Sequence, residues 1–347
     1  MAGALIQPAP VAYGFPVGPA APLHPRPLSL ERPAGQPPTL GTAVNDRQLA
    51  RVEGSYARVL LSNFRSVTPE YEMEMSYLEP RPGSFAFARA DRIVRFAEDH
   101  GLAIRGHALV WDELLPAWVR ERRWTRKGLA TVLRRYVAAV VGHYRGQVGE
   151  WDVVNEPLAP DGTLRHSLWE RVIGPGYIPI ALRAARRADP RARLFINDYG
   201  IGWPGPKERA MRRLVTRLRS NGVPVDGVGV EAHYDIHIHP EPGELREALR
   251  DLAATGASVE ITELDVTALG PAGLAERLAR QARVYAIAGG ACRAVGACDA
   301  VTTWGITDAD SWRGADERAL PFDARFRAKP AWRSLLQSLE SRNVRAG

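Results

Sequence analysis

Two carboxylates in this sequence stand where chemistry could be done. Glu156 lies at the end of the apolar run in "WDVVNEPL" (151–158), and Glu263 sits inside "ITELDV" (261–266). Each follows a stretch of β type, and Pro157 stops the first stretch at once. A strand end aims its last side chains at whatever lies beyond the sheet. Two carboxyl groups meeting there can divide one reaction between them. One protonates a departing oxygen while the other attacks the carbon or activates a water. Further polar groups fall at comparable positions: Glu70, His107, Asn155, Asn197, Asp198, Tyr199, Glu231, His233, Asp235 and Asp265. Trp111, Trp304 and Trp312 follow similar runs, and indole rings pack on the apolar faces of sugars. The set suits cleavage of a glycosidic bond.

Taken singly, each of these residues has a plainer use. A strand-end carboxylate is most often a helix cap or an ion-pair partner, and a tryptophan is most often core. Glu70, Asp198 and Asp235 fit that description as well as any other. What raises Glu156 and Glu263 is coincidence, because amides, histidines and tryptophans share their end of the fold. The run "HYDIHIH" puts His233, His237 and His239 in alternation, a possible metal site, but no fourth-ligand pattern accompanies it. His233 has a better use, holding Glu263 ionised while Asp265 orients the ring. No metal and no cofactor is called for.

Positioning such residues takes a scaffold, and the sequence spells one out. β-type runs at 39–45, 66–70, 103–110, 150–156, 193–199, 227–235, 258–266 and 300–307 alternate with amphipathic stretches. Those lie near 47–61 and at 89–101, 128–144, 178–188, 207–222, 243–256, 272–290 and 330–341. Strands separated by helices pair in parallel through right-handed crossovers. Eight such units predict an α/β fold, a closed (β/α)8 TIM barrel over residues 39–345, with catalytic groups at the C-terminal strand ends. An open doubly wound sheet would show a Gly-rich phosphate turn after the first strand, and "TLGTAVN" (39–45) is not one.

The remainder of the composition narrows the class. Residues 1–38 are dense in proline without period, which predicts a disordered or extended leader. They lack the basic start and apolar core of a secretory signal. No apolar run approaches a membrane span. The formal net charge of +7 is carried almost wholly by arginines spread over helix faces, with no basic tail. That reads as solvated surface rather than a nucleic-acid footprint. Cys292 and Cys298 suit one disulfide or two unrelated thiols, and spacing alone leaves both open.

The motifs "FRSVTPEYEM", "FAFARADRIVRFAEDHGLAIRGHALVW", "LPAWV", "WDVVNEPL", "FINDY", "ITELDV", "TTWGITDADSW" and "KPAW" resemble, in order, glycoside hydrolase family 10, the β-1,4-xylanases and relatives. The resemblance runs from about residue 40 to 340. It implies that Glu156 is the acid/base, Glu263 the nucleophile, and His233 and Asp265 the groups tied to the nucleophile. It implies that Glu70, His107, Asn155 and Trp304 hold the sugar, that Trp111 and Trp312 line the cleft, and that Tyr199 touches the leaving side. Cys292 and Cys298 fall where many members have a disulfide, which implies an extracellular protein. Partners are then a carbohydrate substrate, with no nucleic acid or membrane, and the chain acts as a monomer. Four positions depart from the family pattern. Tyr71, Glu74 and Leu114 stand where an Asn, a Lys and a Gln are usual, and Glu231 replaces a Gln. The first three belong to the sugar position next to the cleaved one. The expectation is therefore either an ordinary endo-xylanase or an enzyme shifted in glycone preference or toward exo action. A non-catalytic glycan-binding barrel would have lost a carboxylate, and both are present.

Overall fold

The alternation of β-type runs and amphipathic helices closes into a ring. In the computed structural model, which describes residues 30–33, 35–50 and 54–340, eight strands form one closed parallel barrel in sequence order. They are β1 (Thr39–Val44), β2 (Ser66–Pro69), β3 (Ala103–Gly106), β4 (Glu150–Asn155), β5 (Arg193–Tyr199), β6 (Gly227–Asp235), β7 (Ser258–Thr267) and β8 (Cys298–Thr303). β8 pairs with β1, from Thr39 against Ala300 to Thr42 against Thr303, and leaves no sheet edge.

Helices cover the outside because each carries one apolar stripe. In Pro206–Ser220 the buried Ala210, Met211, Leu214, Val215 and Leu218 recur at helical spacing, while arginines take the other face. The Met, Leu and Val side chains among them each contribute roughly 1.5–3 kcal/mol by leaving water. Pro206 starts this helix, where its missing N–H costs nothing. The long helix Arg126–His143 is capped by Thr125, whose hydroxyl accepts the Gly128 N–H at 3.1 Å. Neighbouring strands also pack closely: a Cβ at Gly106 would come within 2.2 Å of the Trp151 ring on β4, so β3 needs glycine there. Among the described residues no helix is long and apolar enough to cross a membrane.

The barrel interior is charged rather than oily at mid-height. Arg105 on β3 is almost fully buried and donates to Asp152 (2.9 and 2.5 Å), Glu150 (3.1 Å) and Glu260 (2.9 Å). Its guanidinium also lies 4.3 Å over the Phe195 ring. Arg193 reaches Glu150 at 2.6 Å and Asp299 at 2.7 Å. Below this layer Leu30 packs with Ala103 and Ala300 and forms the floor.

Three details differ from the sequence reading. β3 ends at Gly106 instead of 110, and the chain rejoins the ladder only as a bridge from Val110 to Val154. β8 starts two residues early, at Cys298, whose disulfide to Cys292 ties it to the end of the helix Leu274–Ala294. The helix read near 47–61 is two short ones, Asp46–Leu49 and Ser55–Asn63. The expected leader lies largely outside the described residues. Its last part runs along the barrel floor, where Arg32 donates to the carbonyls of Val295 (3.0 Å) and Gly296 (2.9 Å).

Candidate active site

Two one-residue bulges turn the ends of opposite strands inward. On β4 the register shifts at Val153, so that Asn155 faces Asn197 of β5. On β7 it shifts at Thr262, so that Glu263 faces Glu231 of β6. A bulge adds a residue to one strand and re-aims the side chains beyond it. Glu156 is re-aimed further by a left-handed backbone, φ 51°, a conformation costly for a residue with a side chain. It is held there by its N–H donating to the Asn197 carbonyl (2.8 Å) and by Arg165 Nε donating to its own carbonyl (2.9 Å).

A cavity of about 430 Å³ opens at these C-terminal strand ends. Glu70, His107, Trp111, Asn155, Glu156, Tyr199, His233, Glu263, Trp304 and Trp312 line it, and Asp265 lies directly behind His233. A larger groove, about 810 Å³, runs between the helices Pro242–Ala253 and Leu274–Ala294 on the outer wall and shares none of these residues.

Glu263 is surrounded by donors. Asn197 Nδ2 reaches its Oε1 at 2.7 Å, and His233 Nε2 lies 3.1 Å from its Oε2. His233 Nδ1 is 3.0 Å from Asp265 Oδ2, an ion-pair distance, and Asp265 also accepts from Trp312 Nε1 and Arg313 Nε, each at 2.7 Å. Burial opposes the charge on His233, but Asp265 and Glu263 outweigh it and push its pKa up to about 10. The ring is therefore held toward its imidazolium form, with Nε2 on Glu263 and Nδ1 at ion-pair distance from Asp265. Burial likewise opposes the charge of Asp265, yet His233 and Arg313 hold its carboxyl below the usual range.

Glu156 sits in the opposite environment. Burial pushes its carboxyl up to about 7; Arg165, 3.0 Å from Oε2, pulls the other way, and Asp198, Glu113 and Glu263 add to the rise. Arg165 in turn donates to the Tyr199 hydroxyl at 2.9 Å. His107 lies 3.1 Å from Asp152 and 3.9 Å from Glu263 Oε1. Burial would lower it, but Glu263, Asp152 and Glu74 keep it up at about 9. Trp304 stands edge-on to it, ring centres 5.0 Å apart.

One carboxyl poised to give up a proton near neutrality thus shares a cavity with another that is fixed by cationic and amide donors. Residues 30–338 match the profile of Glycosyl hydrolase family 10. The chain belongs to glycosyl hydrolase family 10. It is 38% identical over 301 residues to endo-1,4-beta-xylanase A of Phanerodontia chrysosporium, covering 84% of this chain and 72% of that one. With endo-1,4-beta-xylanase 3 of Hypocrea jecorina QM6a it shares 40% over 301 residues, 86% of this chain and 82% of the other. Among solved structures it resembles xylanase 10B from Thermotoga petrophila in complex with xylobiose, at 34% identity and a TM-score of 0.84, covering 87% and 94% of the two chains.

In this family 10 glycosyl hydrolase several picked residues turn out to have plain duties. Asp235 Oδ1 accepts the N–H groups of His237 and Ile238 and shapes the turn after β6. His237 and His239 lie in that turn, and His239 Nδ1 meets the Pro240 carbonyl at 3.2 Å. Among the described residues the one trio with metal-like spacing is Glu231, His233 and Glu263. Asp198 accepts the Leu158 N–H (3.0 Å) and pairs with Lys207 (2.7 Å).

Other residues at the site carried no role in the sequence reading. Asn197 is completely buried and bonds Asn155, Glu231 and Glu263 together. Its amide could be seen at a strand end, but not its centrality. Arg165 comes from the loop after β4, and no spacing rule points to it. Asp152 had a signal: with Glu150 it alternates charge inside an apolar strand, which places both in the barrel interior.

Proposed function

We infer that this chain is a retaining hydrolase of β-1,4-xylan in which Glu263 attacks and Glu156 handles the proton. Family membership and the relatives named for xylanase activity support the reaction. The observation that carries the assignment of roles is the contrast between the two carboxyls in one cavity. Glu263 accepts from Asn197 at 2.7 Å and lies 3.1 Å from His233 Nε2, so its two oxygens are fixed in place. Glu156 has its pKa raised to about 7, so a large share of it holds a proton at neutral pH.

In the first step a lone pair of Glu263 forms a bond to the anomeric carbon. The bond to the bridging oxygen breaks, and Glu156 gives that oxygen its proton. In the second step a water attacks the same carbon, Glu156 takes a proton from it, and the bond to Glu263 breaks. Two inversions leave the β-configuration intact. Asn155, anchored by Asn197 at 2.9 Å, is placed to bond the sugar's 2-hydroxyl. Trp111, Trp304 and Trp312 supply the apolar walls. The disulfide suits a secreted protein working as a single chain on an insoluble polymer. Proton NMR of the first products from xylohexaose tests the mechanism: the β-anomer is expected first, and initial α-anomer overturns it. Full activity in a chelator is expected as well.

A second reading of specificity rests on where the cavity stops. Of the residues from Glu70 to Leu78, only Glu70 and Tyr71 line it. The Tyr71 ring stacks on Tyr77, centres 6.3 Å apart, and Arg89 lies 5.1 Å over Tyr77. Glu74 points into the protein, accepting the Ala108 N–H at 3.2 Å, and Leu114 does not reach the cavity. The position beyond the cleaved sugar thus loses polar grip, which favours release of single sugars or a shifted glycone preference. Xylose as the main early product from xylotetraose supports this; xylobiose and xylotriose at ordinary rates return the enzyme to plain endo action.

A further inference from the structure

Asn197 has two amide hydrogens and three oxygens to satisfy. Its Nδ2 lies 2.7 Å from Glu263 Oε1, 2.9 Å from Asn155 Oδ1 and 3.0 Å from Glu231 Oε1. The amide cannot be turned round. Its Oδ1 accepts the Thr262 hydroxyl at 2.6 Å, and the flipped rotamer would set an oxygen against three oxygens. If Glu231 and Glu263 were both ionised, two anions would compete for what remains after Asn155. Both residues are only 4% exposed, and one oxygen of each lies within 4.8 Å of the other.

The surrounding charges do not relieve this. Facing Glu231 are Glu263 from β7, Glu156 from the end of β4, Asp198 from β5 and Lys207 from the helix Pro206–Ser220. Two cations lie near, and both are engaged elsewhere: Lys207 Nζ is 2.7 Å from Asp198 and 3.4 Å above the Tyr199 ring, and His233 has a ring nitrogen within 4.8 Å of a Glu231 oxygen. His233 directs its two ring nitrogens at Glu263 and Asp265.

We propose that Glu231 is a neutral positioning acid: it carries a proton at the working pH, leaves Asn197's second hydrogen to Glu263, and disables the site when it ionises. Ionised, it would draw that hydrogen away and repel the nucleophile. Burial and the flanking carboxylates keep its carboxyl well above the usual range, in the direction this requires. The role rests on Glu263 being the nucleophile, whereas the proton on Glu231 does not.

Two measurements decide it. The first is the pH profile of kcat/KM on an aryl β-xyloside with a good leaving group, which needs no proton from Glu156. Glu231→Gln keeps the shape and cannot ionise. It is expected to exceed Glu231→Ala by about tenfold or more at pH 6, and to move the alkaline limb up by about one pH unit or more. A limb that stays put, or a Gln variant as poor as the Ala variant, overturns the role. The second is the infrared difference spectrum of wild type minus Glu231→Gln at pH 7, with unfolding curves confirming that both are folded. A protonated-carboxyl carbonyl band is expected, and its absence overturns the proposal. Failure of the nucleophile assignment would show separately, as turnover retained in Glu263→Ala.

Discussion

The barrel encloses two clusters of buried carboxylates, one above the other, and they are wired differently. In the lower layer the carboxylates meet guanidinium groups. Arg105 touches Glu150, Asp152 and Glu260, and Arg193 touches Glu150, Glu260 and Asp299. At the mouth the cations are histidines and single side chains from loops and a helix, and they are shared unevenly. Glu263 has His233, Glu156 has Arg165, and among the described residues Glu231 forms no ion pair. The lower cluster is a structural core made of charge: against the effect of burial, Arg105 holds Asp152 below the usual range, while burial and the crowding of Glu150 push Glu260 well above it. The upper one leaves protons undecided, and protons that can move are what an acid/base reaction uses. A sequence that places charge inside a barrel does both jobs with the same residue types; access to the cavity separates them.

If that division holds, damage at the mouth falls on rate and damage below falls on stability. The largest effect is expected from Glu263→Ala, which should cut turnover by about 10⁴-fold or more with every leaving group. Its melting temperature should stay within a few degrees, since it removes one of two crowded acids. Glu156→Ala comes next: about 10²–10⁴-fold on xylan, and far less in the first step on activated aryl glycosides. Equal loss on both substrates would count against Glu156 as the acid. Arg105→Met should do the reverse of both. Removing one partner of a buried ion cluster costs about 3–5 kcal/mol, visible as a lowered denaturant midpoint. Its folded fraction should retain most of its rate. Asp265→Asn belongs to the mouth and should lose about 10–100-fold. Its signature is a fall in the pKa of His233, followed by NMR titration of the ring. An unmoved titration would remove Asp265 from the arrangement.

Much of this division could be anticipated from the chain, and the limits are physical. Strand order came from eight β-type runs alternating with helical stretches, because parallel neighbours need long crossovers. Glu156 and Glu263 were visible as polar exits from apolar strands. What sequence pattern does not carry is register. The bulges at Val153 and Thr262 decide which side chains enter the mouth, and each depends on packing between strands distant in sequence. Arg105 reads as an ordinary polar residue in "AIRGHALV"; only closure of the ring brings Glu150, Asp152 and Glu260 to it. Asn197 escaped for the same reason, since its three partners come from β4, β6 and β7.

Glu74 tests where the boundary between the two clusters lies, and with the smallest expected effect on rate. It is buried behind His107, 3.8 Å from Nε2, with the Ala108 N–H as its donor. Burial pushes its carboxyl up to about 8, against the pull of His107. In the unfolded chain it ionises near 4.3. Between these values the folded protein keeps a proton that the unfolded chain has released. The stability this provides is therefore whole below about pH 4 and is lost as pH rises toward about 8. Glu74→Gln has no proton to lose, so its advantage over wild type should be least at pH 4 and should grow steadily up to pH 8. Denaturant midpoints of both proteins across that range measure it. A gap that stays constant with pH would mean that Glu74 is ionised and paired with His107, as Asp152 is with Arg105 in the layer beneath.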